Sequence, residues 1–200
     1  MNSPIWHESS VTRQDRRRAH GMVGMTLWLT GLSGSGKSAI AHALAARLTT
    51  DGIFAYVLDA DNVRHGLNGD LGFSDDDRRE NIRRIGEVAR LFADAGAVTI
   101  VPIISPFTAS RDAVRSAHHA DGLAFVEVFV DTPLDVCATR DPKGLYAKQR
   151  SGEMTGLSGV DAPYEAPRNP DVTLGASGET VDNAVEVLVA RVTAIRGETR

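Results

Sequence analysis

The sequence predicts a three-layer α/β fold, a five-stranded parallel sheet flanked by helices. Three observations carry that prediction. Five short apolar runs are each bounded by turn residues, segments of helical periodicity lie between them, and the glycine-rich stretch "GLSGSGKS" joins the first run to the first helix. Strands that alternate with helices need crossover connections, and crossovers make the strands parallel.

In chain order the strands read as "MTLWLT" (25–30), "IFAYVLD" (53–59), "AVTIVPIIS" (97–105), "AFVEVFVD" (124–131) and a short "DVTLG" (171–175). "KSAIAHALAARLTT" reads as helix directly after the first strand. A second helix follows the second strand, with Ile82, Ile85, Val88, Leu91 and Phe92 on one stripe and Arg83, Arg84, Glu87 and Arg90 facing elsewhere. A final helix from Thr180 to about Ile195 is striped by Val181, Val185, Leu188, Val192 and Ile195. Residues 140–170 break the pattern. They are rich in glycine, proline and charge with a short helical core near 144–150, the composition of a mobile flap rather than of a packed layer. With no internal repeat, residues 1–24 read as an N-terminal leader and 25–200 as one domain, its lid at about 140–165.

A chain of 200 residues, 42% hydrophobic and 24% charged, can bury one sizeable core. Its net charge of −4, from 22 basic and 26 acidic residues, lacks the positive field needed to grip duplex nucleic acid, and no nucleic-acid partner is expected. The single cysteine, Cys137, reads as a small buried apolar residue and excludes an internal disulfide framework or a Cys-rich zinc site. No run approaches the roughly 20 apolar residues of a membrane helix. The N-terminal stretch has no apolar h-region, so a cytoplasmic protein with no membrane partner is expected. The "RQDRRR" cluster reads as a solvated helical face, and adjacent His118 and His119 lack metal-ligand spacing.

"GLSGSGKS" matches G-x-x-x-x-G-K-[ST] in full, between a predicted strand and a predicted helix. The chemistry needs these residue types. Gly31, Gly34 and Gly36, with Ser33 and Ser35 between them, let backbone amides curl round phosphates, and the helix N-terminus adds a positive dipole end. Lys37 reaches the β and γ oxygens of ATP, and the Ser38 hydroxyl ligates Mg²⁺. The motif alone does not separate motors, GTPases and small-molecule kinases. No N-K-x-D tetrapeptide is present to read a guanine base.

Asp59 and Asp61 end the second strand, on the side of the sheet where ligands of parallel sheets lie. Asp61 opens a predicted helix with Arg64 three residues on. The pair could hold Mg²⁺ or accept a proton; alternatively Asp61 only caps the helix and pairs with Arg64 at the surface.

After "GLSGSGKS" come "LDADNVRHGLNGDLGFS", "DRRENIRRIGEVARLFADAG", "ISPF", "EVFVDTPLDVC", "RDPKGLY" and "GVDAPYE", in that order. From about Trp6 to Pro170 the chain resembles adenylylsulfate kinases. The resemblance implies a P-loop kinase fold with a mobile lid. It also implies transfer of the ATP γ-phosphoryl group to the 3′-hydroxyl of adenosine 5′-phosphosulfate (APS), giving 3′-phosphoadenosine 5′-phosphosulfate (PAPS) and ADP. By the family's pattern Arg64, Phe73, Arg78 and Asn81 hold APS, with Phe73 on its adenine and the arginines on its phosphosulfate. Asp59, Asp61, Ile104, Ser105, Lys143, Gly144 and Leu145 complete that pocket, and Arg140 lies over ATP. Asp61, Lys37 and Ser105 are the candidate catalytic residues, Ser38 and Asp59 the candidate Mg²⁺ ligands. The family's phosphoserine intermediate would fall on Ser105, but no histidine or lysine neighbours it in sequence, and direct in-line transfer is favoured. The resemblance further implies a homodimer working beside an ATP sulfurylase. Rival readings are a P-loop kinase of another small hydroxyl compound and a non-catalytic nucleotide-binding regulatory module. The chain departs from the family in having Ala60 between the aspartates, Ala39 after the motif serine, and Leu157-Ser158 in the flap where Phe-Thr is common.

Overall fold

The computed structural model describes residues 5, 7–175 and 178–198, so Trp6, where the resemblance begins, lies outside the described residues. Five parallel strands form one sheet in the order β2-β3-β1-β4-β5. They are β1 (Met25–Thr30), β2 (Ala55–Val57), β3 (Val98–Pro102), β4 (Ala124–Val130) and β5 (Val172–Leu174). Central β1 is buried along its whole length, which explains a run without polar alternation.

Successive side chains of β1 feed opposite layers. Met25, Leu27 and Leu29 pack with α2 (Lys37–Thr50) and α8 (Val181–Glu198), through Leu44, Leu48, Leu188 and Val192. Trp28 points the other way, to Ile82, Ile85 and Ala89 of α4 (Asp75–Ala95) and Val114 of α5 (Thr108–Ala120). The three layers of the sequence reading follow from this alternation.

The expected strands are trimmed. β2 keeps three residues of 53–59 and β3 stops at Pro102, because the chain beyond each leaves the ladder to build loops at the strands' carboxyl ends. Leu91 leaves the predicted α4 stripe and is 62% exposed; the inner face runs through Ile82, Ile85, Gly86, Ala89 and Ala93, where Gly86 lets Val114 of α5 come close. Val181, the first residue of α8, also lies outside the core. Two helices were not legible. The buried face of α5 is Arg111, Val114 and His118, too polar to give an apolar stripe, and α6 (Leu134–Arg140) spans under two turns. The "RQDRRR" cluster is more than a solvated face. It forms α1 (Arg13–His20), opened by a Thr12–Asp15 capping box, and Arg13 and Arg16 both bind Asp94 of α4, at 2.9 and 2.5 Å.

Gly24, just before β1, passes so close to the end of α4 that a Cβ would stand 1.9 Å from the Ala93 carbonyl oxygen. Backbone cannot yield there as a side-chain tip can. Gly24→Ala should destabilise the protein by at least about 2 kcal/mol, read in urea denaturation as a lower midpoint at an unchanged slope.

Candidate active site

The strand β1 delivers the glycine-rich loop to the carboxyl edge of the sheet, where its neighbours β3 and β4 lie on either side. The loop needs glycine for two distinct reasons. Gly31, at φ 149°, has no room: a Cβ would stand 2.5 Å from the Val130 carbonyl oxygen. Gly34, at φ 76°, is left-handed and would press the Cys137 carbonyl at 2.9 Å. Two side chains outside the motif grip the loop from behind. Thr132 Oγ1 donates to the Ser35 carbonyl at 2.9 Å, and Tyr146 Oη donates to the Ser33 carbonyl at 2.8 Å. Burial pushes the Tyr146 phenol up to about 12, which keeps it a neutral donor.

Lys37 is folded back into this loop. Its Nζ donates to the carbonyls of Gly31 (2.9 Å) and Leu32 (2.7 Å), and only 8% of the residue is exposed. Burial, and secondarily the Lys143 charge, lower its pKa to about 8. One residue on, Ser38 Oγ donates to Asp59 Oδ2 at 3.1 Å. Asp59 caps α3 (Ala60–Val63) by accepting from the Asp61 amide at 2.9 Å, so both its oxygens are engaged. The cap is therefore Asp59, not Asp61. Asp61 does not pair with Arg64 either. It forms an ion pair with Lys143, from the segment 82 residues away.

A cavity of about 580 Å³ lies in front of the loop, lined by the stretch from Ser33 to Ser38 together with Asp61, Ile104, Arg140 and Lys143. These sequence candidates are brought together. Arg64, Phe73, Arg78 and Asn81 form a separate wall. The Arg64 guanidinium stacks over the Phe73 ring at 4.4 Å, with Phe73 otherwise 70% exposed. Arg78 donates to the Phe73 carbonyl (2.9 Å), to Ser158 Oγ (2.7 Å) and to the Gly156 carbonyl (2.6 Å), tying α4 to the lid. Asn81 accepts from Asn68 Nδ2 at 3.0 Å. Ser105 stands apart from the other candidates. It is 1% exposed, and its Oγ accepts from the Trp28 indole at 3.1 Å instead of facing the cavity.

The lid candidate carries its own small core, which its composition did not suggest. Tyr146 and Leu157 are buried with Cys137, against Leu32 of the phosphate loop and Leu145. Gly144, at φ 66°, starts the short helix α7 (Leu145–Arg150) that aims Tyr146 inward. Both flap departures are used: Leu157 fills this core and Ser158 accepts from Arg78. Sequence reasoning gave Thr132 and Tyr146 no role, although both stand inside the blocks "EVFVDTPLDVC" and "RDPKGLY".

A loop of this kind holds nucleotide phosphates, and an aspartate facing it across one cavity supplies an acceptor side, so fold and site define a P-loop kinase. Comparison with known proteins narrows the class. The adenylylsulphate kinase family model matches residues 23–175, and the chain belongs to that family. It is 52% identical over 190 residues to the adenylyl-sulfate kinase of Marinobacter nauticus, covering 95% of this chain and 94% of that one. It is 55% identical over 185 residues to the adenylyl-sulfate kinase of an Enterobacter species, covering 92% and 90%. The solved structure of the Mycobacterium tuberculosis APS kinase CysC in complex with AMPPNP and APS superposes with a TM-score of 0.83 at 50% identity, over 86% of this chain and 99% of that one.

The depressed Lys37 pKa makes a signed prediction for the ligand-free protein. Between pH 8 and 10.5 the unfolded chain holds a proton on Lys37 that the folded chain has lost, so this residue makes stability rise with pH across that window. Lys37→Met should remove that rise. The difference in denaturation free energy between wild type and variant, followed from pH 7 to 10.5, isolates it from other groups titrating there.

Proposed function

We propose that the protein transfers the γ-phosphoryl group of ATP to the 3′-hydroxyl of APS, giving PAPS and ADP. The observation that carries this reading is that Asp61, from the helix after β2, lines the same cavity as Lys37 and Ser38 of the phosphate loop. Its support from outside is the half-identical APS kinase solved with AMPPNP and APS.

The chemistry follows from the residues. Phosphoryl transfer has a loose transition state, so positioning and charge neutralisation do most of the work. The loop amides and Lys37 hold the β and γ phosphates, Lys37 exchanging its two carbonyl partners for phosphate oxygens, and Arg140 lies over the nucleotide. Ser38 and Asp59 offer a hydroxyl and a carboxylate 3.1 Å apart, a hard-oxygen pair that suits Mg²⁺. Among the described residues no group of three His, Cys, Asp or Glu could hold a metal, which fits an ion that takes its remaining ligands from nucleotide and water. When bound, Mg²⁺ neutralises charge on the phosphates.

Arg64, Arg78 and Asn81 provide donors for APS, Phe73 an open aromatic face for its adenine, and Ile104 and Lys143 to Leu145 the rest of its pocket, while Ser105 supports Ile104 from behind rather than touching APS. Asp61 accepts or orients the 3′-hydroxyl proton once Lys143 turns from it to the substrate. Buried Ser105, its Oγ engaged by Trp28, favours direct transfer over a phosphoserine intermediate. A homodimer, a cytoplasmic setting and an ATP sulfurylase that supplies APS belong to the same proposal. No helix among the described residues is long and apolar enough to cross a membrane.

A coupled assay of ATP-dependent PAPS formation, with gluconate and adenosine as competing acceptors, should show turnover with APS alone; turnover with gluconate and none with APS overturns the reading. In the same assay Asp61→Asn should lower kcat by roughly 10²–10⁴, and near-normal turnover would remove Asp61 from the role of base. Ser105→Ala should keep turnover within about tenfold of wild type, and ATP alone should leave no phosphoserine on the wild-type protein.

A further inference from the structure

We propose that Arg111, which touches neither nucleotide loop nor Asp61, is a positioning residue that sets affinity for the phosphoryl acceptor. The proposal rests on the APS reading above. It starts from an oddity of backbone. Ser105 has φ 42°, one of two non-glycine residues with positive φ among the described residues. A non-glycine residue there is strained and persists only where its surroundings over-determine it. The turn it creates presents Ile104 to the cavity.

Several bonds over-determine that turn, the Trp28 indole on Ser105 Oγ among them, and one guanidinium ties it to both its neighbours in the fold. Arg111 is 1% exposed, on the inner face of α5. Its Nη1 donates to the Ser105 carbonyl at 2.7 Å. Nη2 donates to the Glu165 carbonyl at 2.7 Å and to Thr108 Oγ1 at 3.1 Å, while Nε donates to Glu127 Oε1 of β4 at 2.8 Å. The planar fork carries five donors spread over three nitrogens and reaches four acceptors here, whereas an ammonium has three donors on a single nitrogen. Strand, acceptor turn and the far end of the lid therefore meet on a single side chain.

The lid end is stitched to the same turn independently. The Glu165 amide donates to the Pro106 carbonyl at 2.8 Å, and Glu165 Oε2 accepts from the Thr108 amide at 2.7 Å. Tyr164 Oη shares Thr30 Oγ1 (3.0 Å) with the Ile104 carbonyl (2.6 Å). None of these bonds is made by Arg111, so losing the fork should loosen the acceptor side without undoing the fold of the lid. The nucleotide loop, gripped by Thr132 and Tyr146, has no contact with Arg111 among these bonds.

Arg111 also neutralises the buried Glu127, and the test separates that effect from positioning. Arg115 meets the same carboxylate at 3.2 Å but reaches neither the turn nor the lid. We expect Arg111→Lys, and the double variant Arg111→Leu with Glu127→Leu that leaves no unpaired buried charge, to raise KM for APS by about tenfold to a hundredfold. KM for ATP and binding of a fluorescent ADP analogue should stay within about twofold, and Arg115→Gln should leave KM for APS unchanged. Glu165→Ala, an exposed change that removes the bond to the Thr108 amide and the carboxylate charge beside Arg111 and Arg79, should raise KM for APS about threefold to tenfold and keeps the proposal testable if the Arg111 variants fail to fold. Wild-type KM for APS in a folded Arg111 variant or in Glu165→Ala overturns it, as does an equal rise in both substrates' KM. Absence of PAPS formation by the wild type would instead strike the reading on which it rests.

Discussion

The loop backbone at Gly31 and Gly34 is the constraint on which the rest depends. Phosphate oxygens are recognised by amides that all point inward, and amides can do so only where the chain follows a path closed to other residues. The cost of that path is met from outside the motif. Thr132, just beyond β4, and Tyr146, in the lid, each hold one of the loop's carbonyls. Lys37 folds back onto two more, an arrangement that buries its charge and lowers its pKa. The loop is thus held at four of its carbonyls by side chains, Lys37 among them.

The lid is built into the same economy of contacts. Tyr146 joins it to the phosphate loop, Lys143 to Asp61, and Ser158 and Gly156 to α4 through Arg78. Three separate parts of one segment thus touch the glycine-rich loop, Asp61 and Arg78. The ion pair of Lys143 with Asp61 is half-exposed on both sides, so solvent weakens it, and it can open at little cost when an anionic substrate competes for the lysine.

Much of this was legible in the sequence, and what was not has physical reasons. The strands announced themselves because both faces of the sheet are buried, leaving uninterrupted apolar runs. The phosphate loop was legible because its chemistry tolerates so few residue types. α5 was hidden because its inner face is an arginine and a histidine, whose partners, Glu127 and Thr26, come from distant strands. Pattern reading also placed Leu91 inside and took residues 140–170 for an unpacked flap. A stripe of small residues carries the true inner face of α4, and three dispersed side chains suffice for the flap's core. At the site, the alternative that paired Asp61 with Arg64 rested on spacing alone, and tertiary structure gave Asp61 Lys143 instead.

That exchange of partners also divides the two aspartates. Asp59 is 8% exposed, and each of its oxygens already accepts a hydrogen bond, from Ser38 and from the Asp61 amide. A carboxylate held at both ends cannot swing to follow a proton, but it suits a fixed place beside a metal ion. The Asp61 side chain is 62% exposed and bound only by a lid lysine, so it is the one free to meet a hydroxyl group. Ala60 between them strengthens the division. As the first residue of α3 it packs against the Trp28 layer, and it favours the helix by about 1 kcal/mol over the family's glycine, which stiffens the turn that sets the two carboxylates apart.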